Sequence, residues 1–278
     1  MSLDSRFREM IEYFDSRFVL PPIARVFLPP LHTDGQPTDE QFMALVLEGG
    51  AAGISFVMVP ADDAEAYRAL GPDGLVGRTP RELARAFGSG DAIEQMLGMA
   101  AINAVCQHVM REIAYEPDTV TDSLGLLAIE AGDTVGMVGL FSGLVPSIRE
   151  TGAGLVIIEL DERLIAENRE LPITADTARL AACNKVLVTG TTVLNNTLED
   201  VLGHCAPEAV VSVVGPTVGY FPDPLFAVGV DVVGGRVVTD SDGLLERLEH
   251  RERLRGTTQR TCFQKDGYAG FMDLTERR

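Results

Sequence analysis

Three observations in the sequence predict an α/β fold built in two parts. Short extended runs and helices fill the first stretch, five continuous apolar runs alternate with helical segments after about residue 118, and 46% of the 278 residues are apolar. That apolar share is enough for a sizeable core in a chain long enough for two domains or one large one. The first half, residues 1–115, reads as an α+β domain. The second, residues 116–255, reads as a parallel-sheet α/β domain, and residues 256–278 form a polar tail with scattered aromatics that the pattern leaves unassigned.

In the first half, Leu3, Phe7, Met10, Ile11 and Phe14 recur at helical spacing and predict an amphipathic opening helix. RFVLPPIARVFLPP, MALVLEGG and GISFVMVP follow as extended runs broken by prolines and glycines, the pattern of a small antiparallel sheet. From Thr79 the chain turns helical. Thr79-Pro80-Arg81-Glu82 has the residue order of a capping box with proline in the first turn, and Asp91 with Glu94 opens a second helix reaching about Ile113. Its face of Ile93, Met96, Leu97, Ala100, Ala101, Ala104 and Val105 is rich in small residues, so a neighbour packs close against it.

In the second half the strand candidates are 134–141, 154–160, 185–190, 208–215 and 230–238. They lack period-two alternation, as strands buried on both faces of a parallel sheet do. LVPSIRET, TADTARLAAC and NTLEDVLGHC read as the intervening helices, and SDGLLERLEHRERL as a charged last helix covering an edge. This is the βαβ rhythm of a Rossmann-like domain.

Open parallel sheets bind ligands beyond the carboxyl ends of their strands. Those ends carry Gly139 to Gly143 with Phe141, then Glu159, then Gly190-Thr191-Thr192 with Asn195 and Asn196, then Gly215-Pro216-Thr217. Gly136, Gly139 and Gly143 approximate a dinucleotide fingerprint, but the spacing departs from the strict motif. Glu159 lies where a ribose-binding acid would, and an acid there equally serves to cap the next turn. Thr191 and Thr192 either donate to an anionic or carbonyl group or cap the turn. Asn196, three residues before Glu199, reads as the helix cap, which leaves Asn195 as the better ligand contact. Gly215-Pro216-Thr217 is most simply a strand-ending turn.

His32, His108, His204 and His250 show no zinc spacing, and Cys106, Cys183, Cys205 and Cys262 form no C-x-x-C pair. Widely spaced cysteines read as reduced thiols of a cytoplasmic protein. No nucleophile elbow or P-loop is present. With 23 basic against 41 acidic side chains the formal charge is 23 − 41 = −18, which argues against nucleic acid and anionic membrane surfaces as partners. The opening MSLDSRFREM has no apolar stretch behind its charges, unlike a signal peptide, and no run approaches a membrane span of roughly 20 apolar residues.

The strings GRTPRELARAF, IEQMLGMAAINA, VGLF, VTGTTVLNNTLEDVL and VVGPTVGYFPDPLFAVGVDVVGG resemble the heavy-metal-chelation family of microbial proteins, over about residues 10 to 250. The resemblance implies a domain like the N-terminal domain of enolase joined to a Rossmann-like domain, with the site in the cleft between them. It implies Arg78, Thr79 and Asn103 as site residues from the first domain. From the second it implies Gly139, Phe141, Gly190, Thr191, Thr192, Asn195, Gly215, Pro216 and Thr217. The Asn-Asn pair departs from the family's Asn followed by a small residue. Asn103, on an otherwise small and apolar helix, is either a hydrogen-bonded packing residue or a polar group facing the cleft, and the cleft is slightly favoured. Arg78 is either a surface residue or the cleft's one cation.

The leading expectation is thus a binding protein for a metal ion, metal complex or small anionic ligand. The alternative is an enzyme using a nucleotide-type cofactor, NAD or S-adenosylmethionine; a scaffold with a vestigial site is the third. Self-association into a homo-oligomer is left open.

Overall fold

The computed structural model describes residues 1–31 and 42–277; His32 lies outside the described residues. Helix α1 (Leu3–Arg17) buries Leu3, Phe7, Met10, Ile11 and Phe14, the face its spacing predicts. Strands β1 (Ile23–Phe27), β2 (Phe42–Leu47) and β3 (Ala52–Phe56) form an antiparallel sheet in that order. Two short helices, α2 (Ala64–Ala69) and α3 (Pro80–Ala86), lead to the long α4 (Ala92–Glu112). Asp91 caps α4 by accepting from the Glu94 N–H at 2.9 Å. The Thr79 side chain makes no cap hydrogen bond, so the predicted capping box reduces to proline in the first turn with an extended residue before it.

Strand β3 lies hard against α4. A Cβ on Gly53 would collide with the Ala100 carbonyl and the Ala104 amide, so the small face of α4 meets a residue that has no side chain. Alternate residues of β2 then point to different cores. Met43, Leu45 and Leu47 join the large core under α4, while Ala44 and Val46, with Ala52 and Ile54 of β3, join a second one on the opposite face.

The second half comprises β4 (Thr134–Val138), α5 (Val145–Glu150), β5 (Gly154–Ile158), α6 (Glu162–Glu167), β6 (Ile173–Thr174), β7 (Lys185–Thr189), α7 (Thr191–Leu194), α8 (Leu198–His204), β8 (Val210–Val214), α9 (Asp223–Phe226), β9 (Val232–Val238), α10 (Ser241–Glu249), β10 (Thr258–Gln264) and α11 (Phe271–Glu276). TADTARLAAC is a 3-10 helix, Thr177–Ala182, in place of the expected α-helix. The seven-stranded sheet runs β10-β9-β8-β7-β4-β5-β6. Counting the parallel strands from β4, this is the doubly wound order 3-2-1-4-5-6, with its switch point between β4 and β7. The tail supplies β10, antiparallel to β9 across seven residue pairs. Its α11 returns to α1, where Tyr13 and Thr275 hydroxyls meet at 2.8 Å.

Helix α10 covers a face where an edge was expected. Leu244 and Leu248 pack with Ala44, Val46, Ala52 and Ile54 on the outer side of the first-half sheet. The large core likewise runs through both halves, from Leu3 to Phe271. Among the described residues, no helix is long and apolar enough to cross a membrane.

Candidate functional site

At the switch point the predicted residues gather in part. Gly139 turns the chain after β4 at φ +84°, and a Cβ there would stand 2.8 Å from the Thr189 methyl at the end of β7. The Thr189 and Thr191 hydroxyls are 3.1 Å apart, and the Thr192 hydroxyl donates to the Thr189 carbonyl at 2.7 Å. Gly190 donates its N–H to the Val214 carbonyl, which brings the ends of β7 and β8 together at Gly190 and Gly215.

Three backbone donors of the turn after β4 are already spent. Gly139 N–H goes to Ile158 O, Leu140 N–H to the Glu159 carboxylate at 3.2 Å, and Phe141 N–H to the Met137 sulfur at 3.4 Å. Glu159 also accepts from Leu160 and Asp161 N–H groups, at 2.8 and 3.0 Å. It ties the loops after β4 and β5 to each other, the turn-capping alternative for that position. The Phe141 ring packs against the core below the sheet.

Asn195 takes the turn at the start of α8 that was expected of Asn196. Asn195 is exposed and accepts from the Thr197 N–H and hydroxyl, at 3.3 and 2.6 Å, opening α8 as an Asx turn. Asn196, in the left-handed region at φ +59°, accepts from Gln95 of α4 at 2.9 Å.

Other predicted residues bind the halves to each other. Asn103 is 3% exposed. Its Nδ2 donates to Ile54 O at 2.8 Å and Thr217 O at 2.7 Å, and its Oδ1 accepts from Gly219 N–H at 2.9 Å. It is a packing residue whose amide is committed to backbone, against the slight preference for a cleft-facing group. Thr217 is buried and accepts from the Phe56 N–H at 3.2 Å. Gln107 joins Ala52 N–H to the Val238 carbonyl, so Gln95, Asn103 and Gln107 form one polar stripe along α4 at multiples of four residues. Arg78 and Thr79 are exposed, and Arg78 pairs with Glu82 one turn on, at 3.2 Å. This is the surface alternative for Arg78.

Pro216 faces a cavity of about 610 Å³ between the halves. Phe27, Pro29, Pro30 and Phe42 wall it from the first half, with Leu248 and Leu254 from the second. Arg236 of β9 and Arg251, Arg253 and Arg255 of the segment after α10 bring four cations, against the carboxylates of Glu249 and Glu252. Glu252 is already paired with Arg247 at 2.9 Å. Arg236 is half-buried and donates to the Thr258 hydroxyl at 3.0 Å. Burial, and then the neighbouring Arg260, push its pKa down. Sequence reasoning missed these arginines, although 250–255, HRERLR, is a basic run in an acidic chain.

A bare soft metal ion finds little to hold it among the described residues. Among the described residues, no group of three His, Cys, Asp or Glu side chains is placed to bind one. Burial pushes the thiols of Cys106 to about 12 and of Cys205 and Cys262 to about 11, and raises Cys183 too, which disfavours the thiolate a soft metal needs. His108 bonds Val19 O, His250 bonds Glu246 O, and His204 faces Asp200 at 3.9 Å.

A family model described as "Putative heavy-metal chelation" (DUF364) matches residues 122–263, and a second of the same description (DUF4213) matches residues 41–106. An uncharacterized protein of Methanocaldococcus jannaschii is 25% identical over 191 residues, which cover 66% of this chain and 71% of that one. Two crystal structures of DUF364 proteins with unknown function share the fold. The one from Desulfitobacterium hafniense has a TM-score of 0.69 at 18% identity, covering 94% of this chain and all of that one. The one from Pyrococcus horikoshii has a TM-score of 0.68 at 16% identity, covering 94% of this chain and 99% of that one.

Proposed function

The chain belongs to the DUF364 heavy-metal-chelation family, and from that premise we propose that it binds a small anion, either a metal oxyanion or a metal held in an anionic chelate, in the cavity between its halves. The observation that carries this reading is the set of four arginines around a cavity of about 610 Å³ in a chain of net charge −18. Such a volume is ordinary for a small-molecule site. Guanidinium groups present paired donors that match carboxylate and oxyanion geometry. The metal is cargo here, and its own ligand shell meets the protein. That accounts for a chelation family member whose described histidines and cysteines are locally bonded or buried.

A nucleotide-type cofactor at the switch point is the second reading. The strand order favours it. The spent N–H groups of the glycine turn and the engaged Glu159 weigh against it. Retention of a nucleotide in native mass spectra would move the balance.

Thermal melts test the first reading. Molybdate and a ferric citrate complex should each raise the melting temperature, by the linkage that stabilises any protein whose native state alone binds ligand. Arg236→Gln should abolish most of that rise. No rise with any oxyanion or chelate, alongside a rise with a bare divalent ion, would overturn it.

A further inference from the structure

Strands β9 and β10 place Arg236 directly opposite Arg260. Opposed residues of an antiparallel pair share a face, so the two guanidinium groups stand on one side of the sheet edge, and like charges so placed are destabilising. Neither has an acidic partner among the described residues. Arg236, Arg251, Arg253, Arg255 and Arg260 take part in no salt bridge among the described residues. The other exposed arginines of the molecule are often paired, as Arg25 is with Asp242 and Arg85 with Glu12. Arg236 meanwhile lines the cavity and, among the described residues, donates to the Thr258 hydroxyl.

We propose that Arg236 and Arg260 form a two-cation clamp that makes the cavity select anions of charge −2 or more over monoanions. The inference rests on the cavity being the anion site and names the class of ligand that site takes. A single negative charge cancels one guanidinium and leaves the other facing its neighbour across the strands. A doubly charged oxyanion, or a chelate presenting two carboxylates, balances both. Arg236 holds it from inside the cavity, Arg260 from the open edge. Glu249, which also lines the cavity, opposes every anion and so raises the charge a ligand must bring.

Tungstate and perrhenate are tetrahedral oxyanions of closely similar size that carry two charges and one. Calorimetric titration of both at mildly alkaline pH, with citrate as an organic polyanion, separates charge from shape and a free oxyanion from an organic ligand. Tungstate should bind the wild-type chain about tenfold or more tightly than perrhenate. Arg260→Gln should bring the preference down to about threefold or less, while the unliganded melting temperature stays level or rises because the repulsion is gone. Citrate binding that depends on Arg260, with tungstate inert, supports the same clamp with an organic ligand. Equal binding of tungstate and perrhenate, or a preference that survives Arg260→Gln, overturns the clamp and leaves the anion site standing. Binding of none of the three overturns both.

Discussion

At the scale of single residues, polar side chains that look like ligand contacts can be the seams of the molecule. Asn103 spends its amide on three backbone groups from β3 and from the loop after β8. Leaving such buried groups unpartnered is what makes removing one member of a network expensive. We predict that Asn103→Ala lowers unfolding stability by about 3 kcal/mol, read from urea midpoints, with no change in anion affinity beyond what unfolding explains. A loss of under about 1 kcal/mol would place the amide outside the network described. The sequence made Asn103 conspicuous because it interrupts an apolar helix. Its partners are more than forty residues away, beyond any local pattern. Gln95 and Gln107 lie on the same stripe, and that four-residue spacing was the signal available. The choice between Asn195 and Asn196 has a different cause. Either can cap a helix, and the choice was made by Gln95 reaching from α4 to hold Asn196.

At the scale of elements, the end of α10 carries a compromise between stability and the cavity. Arg251 adopts φ +55° just past the helix, and the Glu252 N–H reaches back to the Arg247 carbonyl at 2.8 Å. That is a Schellman ending, whose left-handed position favours glycine. A side chain there costs about 1 kcal/mol or more. We predict that Arg251→Gly raises unfolding stability by up to about 1 kcal/mol and weakens anion binding in calorimetry, because one cavity cation is gone. Greater stability with unchanged affinity would remove Arg251 from the site.

Elements with strong internal patterns were legible in the sequence: α1, α4 and the five apolar strands. Strand β6 has two residues, Ile173–Thr174, too few for any periodicity. Strand β10 is polar on its exposed positions and derives its order from pairing with β9. Where α10 would lie could not be read, since the surface it covers comes from residues some two hundred positions earlier. The arginines of the cavity shared that difficulty, for a basic run becomes a site only when β1 and β2 stand across from it.

At the scale of the whole molecule, the last turn of chain is tied in by a half-buried carboxylate. Asp223 accepts from the Tyr268 hydroxyl at 2.7 Å and the Phe271 N–H at 3.0 Å, beside the start of α11. Burial pushes its pKa up, and those two hydrogen bonds only partly offset that. Because the folded value lies above the unfolded one, its contribution to stability is complete below the ordinary carboxylate range. It is lost as pH rises through the elevated value. We predict that Asp223→Asn, which has no such titration, narrows its stability gap to the wild type as pH is raised from about 4, followed by urea unfolding at each pH. A gap independent of pH would show that Asp223 titrates in the folded chain as it does in the unfolded one.

Helix α10 has a consequence for anyone dividing this gene. It is encoded after the parallel strands, yet it roofs the hairpin encoded near the start. A fragment ending near residue 115 would leave Ala44, Val46 and Ile54 bare to water. The complementary fragment would carry a greasy lid with nothing to close. Two of the hydrophobic cores draw side chains from both sections, so grafting either section onto another protein means carrying its counterpart along.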